Sequence, residues 1–274
     1  MPTAGHRSVM RTMVAAMAYG LVAMAGLPAS AVAARPAPHL EARPRADVTT
    51  SLPQGITALH NGAYAYRPAK TGAGPLPLLV LLHGAGGSAR RFLETFRGEA
   101  DRGGYLLLSL QSEAVTWDLI VDAAGKRGGK GEPGFGGDIA RSDQLLLDLF
   151  RRVAIDPRRI VLAGFSDGAS YALSLGLANP KLFHGIIAMS PGFFVAPPAF
   201  DPKQRVFITH GRRDEILPFA QARRIADLLE TTGVALRFKP FDGPHSVNRT
   251  TFAEGMAFAI GPRRPAPAAG RGLE

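Results

Sequence analysis

Five short runs of almost unbroken apolar residues, each set apart by longer stretches of different character, restrict this chain more than any other feature. The runs are "LPLLVLLHG" (76–84), "YLLLSL" (105–110), "RIVLAGF" (159–165), "GIIAMS" (185–190) and "RVFITHG" (205–211). A strand with one face in water alternates apolar and polar residues, so runs without alternation predict strands buried on both faces. Between them, helical patterns occupy 88–101, 138–153, 167–178 and 218–231. Strand alternating with helix predicts an α/β fold: a mostly parallel central sheet, wrapped on both faces by right-handed crossovers, in a single domain. "VALRFKPF" (234–241) adds a strand and "SVNRTTFAEGMAFAI" (246–260) a closing helix. "ITALHNGAYAYRP" (56–68) alternates around Asn61-Gly62, which is a hairpin signal.

The ends of the chain read differently. Residues 1–34 begin with Arg7 and Arg11, continue through the uncharged "TMVAAMAYGLVAMAGLPASAVAA", and close on Ala31-Val32-Ala33. This is the anatomy of a secretory signal peptide with an A-x-A cleavage site, and it predicts an exported, periplasmic or secreted protein. Gly20, Gly26 and Pro28 interrupt the apolar run, so no stable membrane span is expected after cleavage. Residues 35–53 are Pro-rich and charged and read as a flexible linker; 263–274 read as a disordered tail. The folded domain is expected over 54–262.

The chain has no Cys, which removes both disulfides and a cysteine nucleophile from consideration. Of its net charge of +10, Arg7 and Arg11 supply two, leaving +8 beyond the leader. Many of those charges fall in dispersed pairs such as Arg151-Arg152 and Arg223-Arg224, without interleaved aromatics. No nucleic-acid interface is expected from such a distribution.

Chemistry concentrates around "VLAGFSDGAS" (161–170), where Gly164-Phe165-Ser166-Asp167-Gly168 fits G-x-S-x-G. The pentapeptide alone is weak evidence, but an apolar strand precedes it and a helix of small residues follows. That context predicts a strand-to-helix elbow presenting Ser166 as a nucleophile, with glycines at 164 and 168 because a side chain there would strike a neighbouring strand or helix. A serine hydroxyl needs a base, and the base an orienting carboxylate, in the chain order Ser, Asp or Glu, His. Downstream histidines are His184, His210 and His245. His245 lies in the turn-rich "FDGPHSV" after the last strand and is the favoured base. His210, which opens "HGRRDEILP", is assigned to holding the turn that presents Asp214, and His184 to a strand edge. Asp214 follows a strand's C-terminal end, where ligands gather in open α/β sheets, and is preferred over Glu215 and Asp242 as the carboxylate. The competing role for Asp214 is a helix N-terminal charge ahead of "LPFAQARR".

An ester's transition state develops an oxyanion that calls for preorganised N–H donors. The backbone N–H of Asp167 is one candidate. The other is sought in "HGAGGSA" (83–89) and assigned to Ala85, with Gly86 as the alternative. Segment 111–137 carries the only Trp and the Gly-rich "GKRGGKGEPGFGGD", matches no phosphate-binding pattern, and reads as a mobile loop over the site. Trp117, Phe193 and Phe194 are candidate pocket residues, with core packing as the competing role for each.

"LLHGAGG", "GFSDGA", "HGRRDEILP" and "GPHSV", in this order over roughly 76–260, resemble the corresponding blocks of the α/β-hydrolase superfamily. The resemblance is to bacterial phospholipase/carboxylesterase proteins and to the related secreted polyhydroxybutyrate-depolymerase or feruloyl-esterase-like group. It implies the α/β-hydrolase fold, a Ser166–Asp214–His245 triad, oxyanion donors at Ala85 and Asp167, and neither metal nor organic cofactor. It also implies a small-molecule or polymeric ester as substrate. Relatives often carry Gln, Met or Asn after the serine, so Asp167 is a departure that bears on substrate preference. The expected activity is hydrolysis of carboxylic esters through an acyl-enzyme. A peptidase or acyltransferase on the same triad, and a non-catalytic envelope-binding protein, are the rivals.

Overall fold

The computed structural model describes residues 38–45, 47–48, 51–72, 74–125 and 134–261. The expected signal peptide, the C-terminal tail and the middle of the Gly-rich stretch lie outside the described residues.

The elements run β1 (Gly55–Ala58), β2 (Tyr64–Arg67), β3 (Leu76–Leu82), α1 (Ala89–Gly103), β4 (Leu106–Leu110), α2 (Asp118–Ala123), α3 (Gly137–Arg152), β5 (Ile155–Phe165), α4 (Asp167–Ala178), β6 (Gly185–Met189), β7 (Arg205–Gly211), α5 (Phe219–Glu230), β8 (Ala235–Phe241) and α6 (Arg249–Ile260). The strands form one eight-stranded sheet in the order β1-β2-β4-β3-β5-β6-β7-β8. β1 and β2 pair antiparallel, and β2 joins β4 antiparallel. Every pairing from β4 to β8 is parallel. The predicted hairpin is present, with Asn61 in the left-handed region at φ 55° inside a single 3-10 turn.

The unbroken apolar runs have a simple cause. Alternate residues Leu78, Val80, Leu82, Leu162 and Ile208 face a core covered by α2, α3, α4 and α5, while Leu79, Leu81, Val161, Ile187 and Phe207 face a second core covered by α1 and α6. Both sides of the pleat are dry, so polar residues have no place in either register. Because β3 to β8 run in parallel, their C-terminal ends share one edge, and the loops after β3, β5, β6, β7 and β8 meet there.

Two segments depart from the sequence expectation. Within 111–137, "DLIVDA" forms the short helix α2, because Leu119 and Ile120 find a buried apolar surface that periodicity over six residues does not reveal. Residues 38–45 are packed rather than linker-like. Leu40 and Ala42 are fully buried while Glu41 and Arg43 are exposed. Asn179, which closes α4, accepts from Leu40 N–H at 2.9 Å and donates to the Pro38 carbonyl at 2.7 Å, and Asp143 on α3 accepts from Ala42 N–H at 2.8 Å. The alternation His-Leu-Glu-Ala-Arg is the sequence trace of this strap, obscured by its flanking prolines.

The strap's contribution is measurable by urea denaturation. Leu40→Ala is expected to cost about 2–4 kcal/mol, the range for truncating a buried leucine, whereas Glu41→Ala changes stability by less than about 0.5 kcal/mol. Equal and small effects at the two positions would mean that the segment does not pack in solution.

Candidate active site

The elbow after β5 is built by two backbone contacts. A Cβ at Gly164 would sit 2.0 Å from the Gly168 carbonyl oxygen, and a Cβ at Gly168 would sit 2.2 Å from that of Leu82. Only glycine at both places lets α4 approach β5 and the end of β3 this closely. The turn between them leaves Ser166 at φ 57°, ψ −120°, a conformation that costs on the order of 1–3 kcal/mol for a residue with a side chain. Hydrogen bonds hold it there: Ser166 N–H donates to Met189 O at 2.8 Å, and Ser166 O accepts from Ala169 and Ser170 N–H at 2.9 and 3.1 Å. The serine hydroxyl makes no hydrogen bond among the described residues. Serine–imidazole contacts are often long without substrate and tighten when it binds.

Asp214 and His245 come together from the loops after β7 and β8. These loops are stitched by Arg212 N–H to Phe241 O at 2.9 Å and Arg213 N–H to Gly243 O at 3.0 Å. Gly211 lies so close to the second loop that a Cβ would meet Gly243 O and Pro244 O at 2.4 Å. Asp214 Oδ2 accepts from His245 Nδ1 at 2.7 Å, and its Oδ1 accepts from the backbone N–H of Ile216 and Leu217, each at 2.9 Å. A carboxylate only accepts, so the His245 proton is on Nδ1 and Nε2 carries the free lone pair. The imidazole packs on Phe165, the residue before Ser166, with ring centroids 4.7 Å apart. Burial pushes the Asp214 carboxyl up, but hydrogen bonds from His210, His245 and Leu217 N–H outweigh it and hold the group well below the ordinary carboxylate range.

The rival residues occupy other places. His210 is fully buried and its Nε2 lies 3.1 Å from Asp214 Oδ2 and 2.9 Å from Leu217 O, so it braces the turn that carries Asp214. His184 N–H donates to Ile160 O before β6 begins, at the opposite edge of the sheet. Asp242 is exposed and paired with Arg213 at 2.6 Å, and Glu215 is exposed.

The loop after β3 closes against the elbow, since a Cβ on Gly84 would come within 3.2 Å of Ser166 Cβ. His83 organises this loop from beneath. Its Nδ1 donates to Gly84 O at 2.8 Å, its Nε2 accepts from Gln111 Nε2 at 2.9 Å, and its carbonyl accepts from the Trp117 indole at 2.8 Å. Desolvation lowers the His83 pKa, which keeps the ring neutral in this arrangement. Gly86 N–H donates to Val115 O at 2.7 Å, so the alternative donor is already engaged. Ala85 N–H donates to no acceptor among the described residues. Asp167 N–H, first in α4, has no partner within the helix. Two amides thus remain unengaged beside Ser166.

Trp117 does not reach solvent. It is 1% exposed, packed at a tilt between His83 at 5.2 Å and Tyr171 at 5.0 Å, and it supports the loop rather than lining a pocket. Its place in the chain says nothing about which way the ring turns, and a buried carbonyl needing a donor settled it. Phe193 and Phe194 are half-buried against the larger core. Their loop is fastened to α4, with Gly192 N–H on Ser170 Oγ at 3.0 Å and Val195 N–H on Ser174 Oγ at 2.9 Å.

The described ends of the expected mobile loop are pinned by two aspartates. Asp118 Oδ2 accepts from Gly136 and Asp138 N–H at 2.8 and 2.9 Å, and Asp138 returns the contact by accepting from Asp118 N–H at 2.9 Å and Glu113 N–H at 2.9 Å. Burial raises both carboxyls. The Asp167 carboxyl is also buried and accepts from Thr116 Oγ1 at 2.6 Å. Desolvation pushes its pKa up, and the Thr116 hydroxyl and His245 pull only partly the other way. Sequence reasoning missed Gln111, Thr116, Ser170 and Ser174; none sits in a motif, and each is found only through its partner. Among the described residues no group of three or more His, Asp or Glu is arranged to hold a metal, and no helix is long and apolar enough to cross a membrane.

Comparison with known proteins places this geometry in a family. The phospholipase/carboxylesterase family matches residues 121–258, a span holding Ser166, Asp214 and His245. A putative esterase, NocK, of Nocardia uniformis subsp. tsuyamanensis is 33% identical over 177 residues, covering 62% of this chain and 49% of that protein. Acyl-protein thioesterase 1 of Gibberella zeae is 31% identical over 97 residues, covering 32% and 41%. The chain spans about half the length, or less, of these curated relatives. Among solved structures, esterase PE8 aligns over 74% of this chain and 97% of its own with a TM-score of 0.56 at 20% identity, a likeness of fold. With an eight-stranded α/β-hydrolase sheet and a family match across half its length, the chain belongs to the phospholipase/carboxylesterase family.

Proposed function

We propose that this protein is an exported serine esterase that cleaves carboxylic esters through an acyl-enzyme on Ser166. The observation that carries the reading is the 2.7 Å contact of His245 Nδ1 with a buried Asp214, set beside a serine held at positive φ. His245 Nε2 takes the proton as Ser166 Oγ attacks the ester carbonyl. The developing oxyanion is held by the N–H groups of Ala85 and Asp167, each worth about 3–4 kcal/mol in such a site. Asp214 keeps the proton on Nδ1 and stabilises the imidazolium, which then protonates the leaving alcohol. Water attacks the acyl-enzyme with His245 again as base. Membership of the family supports ester hydrolysis as the reaction class. Export is supported by Arg7 and Arg11 ahead of an uncharged apolar stretch ending in Ala31-Val32-Ala33.

Two outcomes check the mechanism. Purified protein is expected to turn over p-nitrophenyl esters and to be labelled by a fluorophosphonate at Ser166, with Ser166→Ala abolishing labelling and lowering kcat by about 10⁴-fold or more. Absence of labelling in a folded protein would indicate a non-catalytic binding protein, and preference for peptide anilides a peptidase. Asp214→Asn is expected to lower kcat by about 10³- to 10⁴-fold with KM little changed, because it permits the wrong tautomer of His245. A loss below tenfold would reject Asp214 as the orienting carboxylate.

A further inference from the structure

The Asp167 carboxyl is an oddity of this site. It belongs to the residue after the nucleophile, is only 9% exposed, and carries one hydrogen bond, from Thr116 to Oδ2. Among the described residues Oδ1 has no partner and no Lys or Arg faces the group. Among the described residues, His245 is the nearby group that can bear positive charge, and its Nδ1 proton is committed to Asp214. Asp214 in contrast has two imidazoles and two backbone amides around it. Oδ1 is not among the fully buried unpartnered atoms, so this largely buried carboxylate keeps one oxygen open on the side of the site, and among the described residues only a hydroxyl matches its charge. A site with such a group favours the ligand that supplies the match.

We propose that Asp167 makes this site select esters bearing a cationic group, an alkyl- or trimethylammonium, a few atoms from the reacting carbonyl. The inference rests on the esterase reading above, in which the Asp167 N–H holds the carbonyl oxygen. The carboxylate is then one short side chain away from that oxygen, and an ammonium in the same substrate meets Oδ1 as the carbonyl reaches the amides. The wall on this side is the Val115–Thr116 stretch, where Val115 is 55% exposed and offers apolar surface to the methyl or methylene groups around the charge. Burial raises the carboxyl's pKa, and by linkage a bound cation favours the ionised form. Substrates with a free carboxylate at this position meet like charge and are disfavoured.

Isosteric ester pairs test this without interference from size. Acetylcholine is set against 3,3-dimethylbutyl acetate for a cation in the alcohol, and p-nitrophenyl 4-(trimethylammonio)butanoate against p-nitrophenyl 5,5-dimethylhexanoate for a cation in the acyl group. The expected result is at least a tenfold preference in kcat/KM for the cation in one pair, falling to threefold or less in Asp167→Asn, which keeps an acceptor for Thr116. Because the ratio is taken within each protein, a general loss of rate in the variant does not affect it. If Asp167→Asn fails to fold, Asp167→Ser serves. Ratios below tenfold in both wild-type pairs, or a ratio above threefold retained in the variant, would overturn the proposal. Failure to hydrolyse even the neutral esters would instead count against the esterase reading itself.

Discussion

The contact between backbone and backbone at Gly164 and Gly168 is the constraint on which the rest of the site depends. Helix α4 can follow β5 at a sharp angle only because its first turn lies against the Leu82 and His83 carbonyls with no side chain between. That approach fixes three things at once. It forces the intervening residue to positive φ, so a hydroxyl at 166 is lifted clear of the sheet edge. It brings the unpaired amides at the start of α4 beside that hydroxyl. It also sets the loop after β3 against the serine, where Ala85 N–H remains unengaged. Strain at one residue is sustained because Met189 on one side and the helix on the other over-determine its backbone.

The sheet edge does comparable work for the other two groups. Parallel strands deliver their C-termini to one side, but delivery alone leaves Asp214 and His245 on separate loops. The stitching of Arg212 and Arg213 to the loop after β8, and the bare Gly211 that allows it, bring the carboxylate and imidazole to 2.7 Å. His210 then fills the space behind Asp214. Its Nε2 proton is shared between Leu217 O and Asp214 Oδ2, so the turn is braced from the core side and the carboxylate keeps its second face for His245.

Much of this was legible in the chain because the features concerned are local or obey a period. Strands dry on both faces leave no alternation, and the runs at 76–84, 105–110, 185–190 and 205–211 fall on β3, β4, β6 and β7 within a residue or two. The elbow is legible because strand, glycines and serine are consecutive. What was hidden depends on partners distant in sequence. The strap at 38–45 is held by Asn179 and Asp143, more than 100 residues away, and its prolines give it the composition of a linker. Trp117 reads as a pocket residue until the His83 carbonyl is seen to need its indole proton. Helix α2 is too short for periodicity, and its ends are fixed by the reciprocal Asp118–Asp138 contact across 20 residues.

Two aspartates of the site show how environment, rather than residue type, divides chemical roles. Asp214 and Asp167 are equally buried, at 9% exposure, and desolvation acts on both in the same direction. The outcomes are opposite because of donor count. Four N–H groups, two from backbone and two from imidazoles, converge on Asp214 and fix it as an anion, the state the proposed relay needs to hold a proton on Nδ1. Among the described residues one hydroxyl serves Asp167, so its charge is little compensated there. The first carboxylate is completed within the described fold; the second has only Thr116 among the described residues. On the proposal above, it is through this group beside the nucleophile that a substrate's own charge enters the energetics. On that proposal, selectivity resides in the residue left with a single partner among the described residues, while the group that sets the tautomer is insulated from what binds.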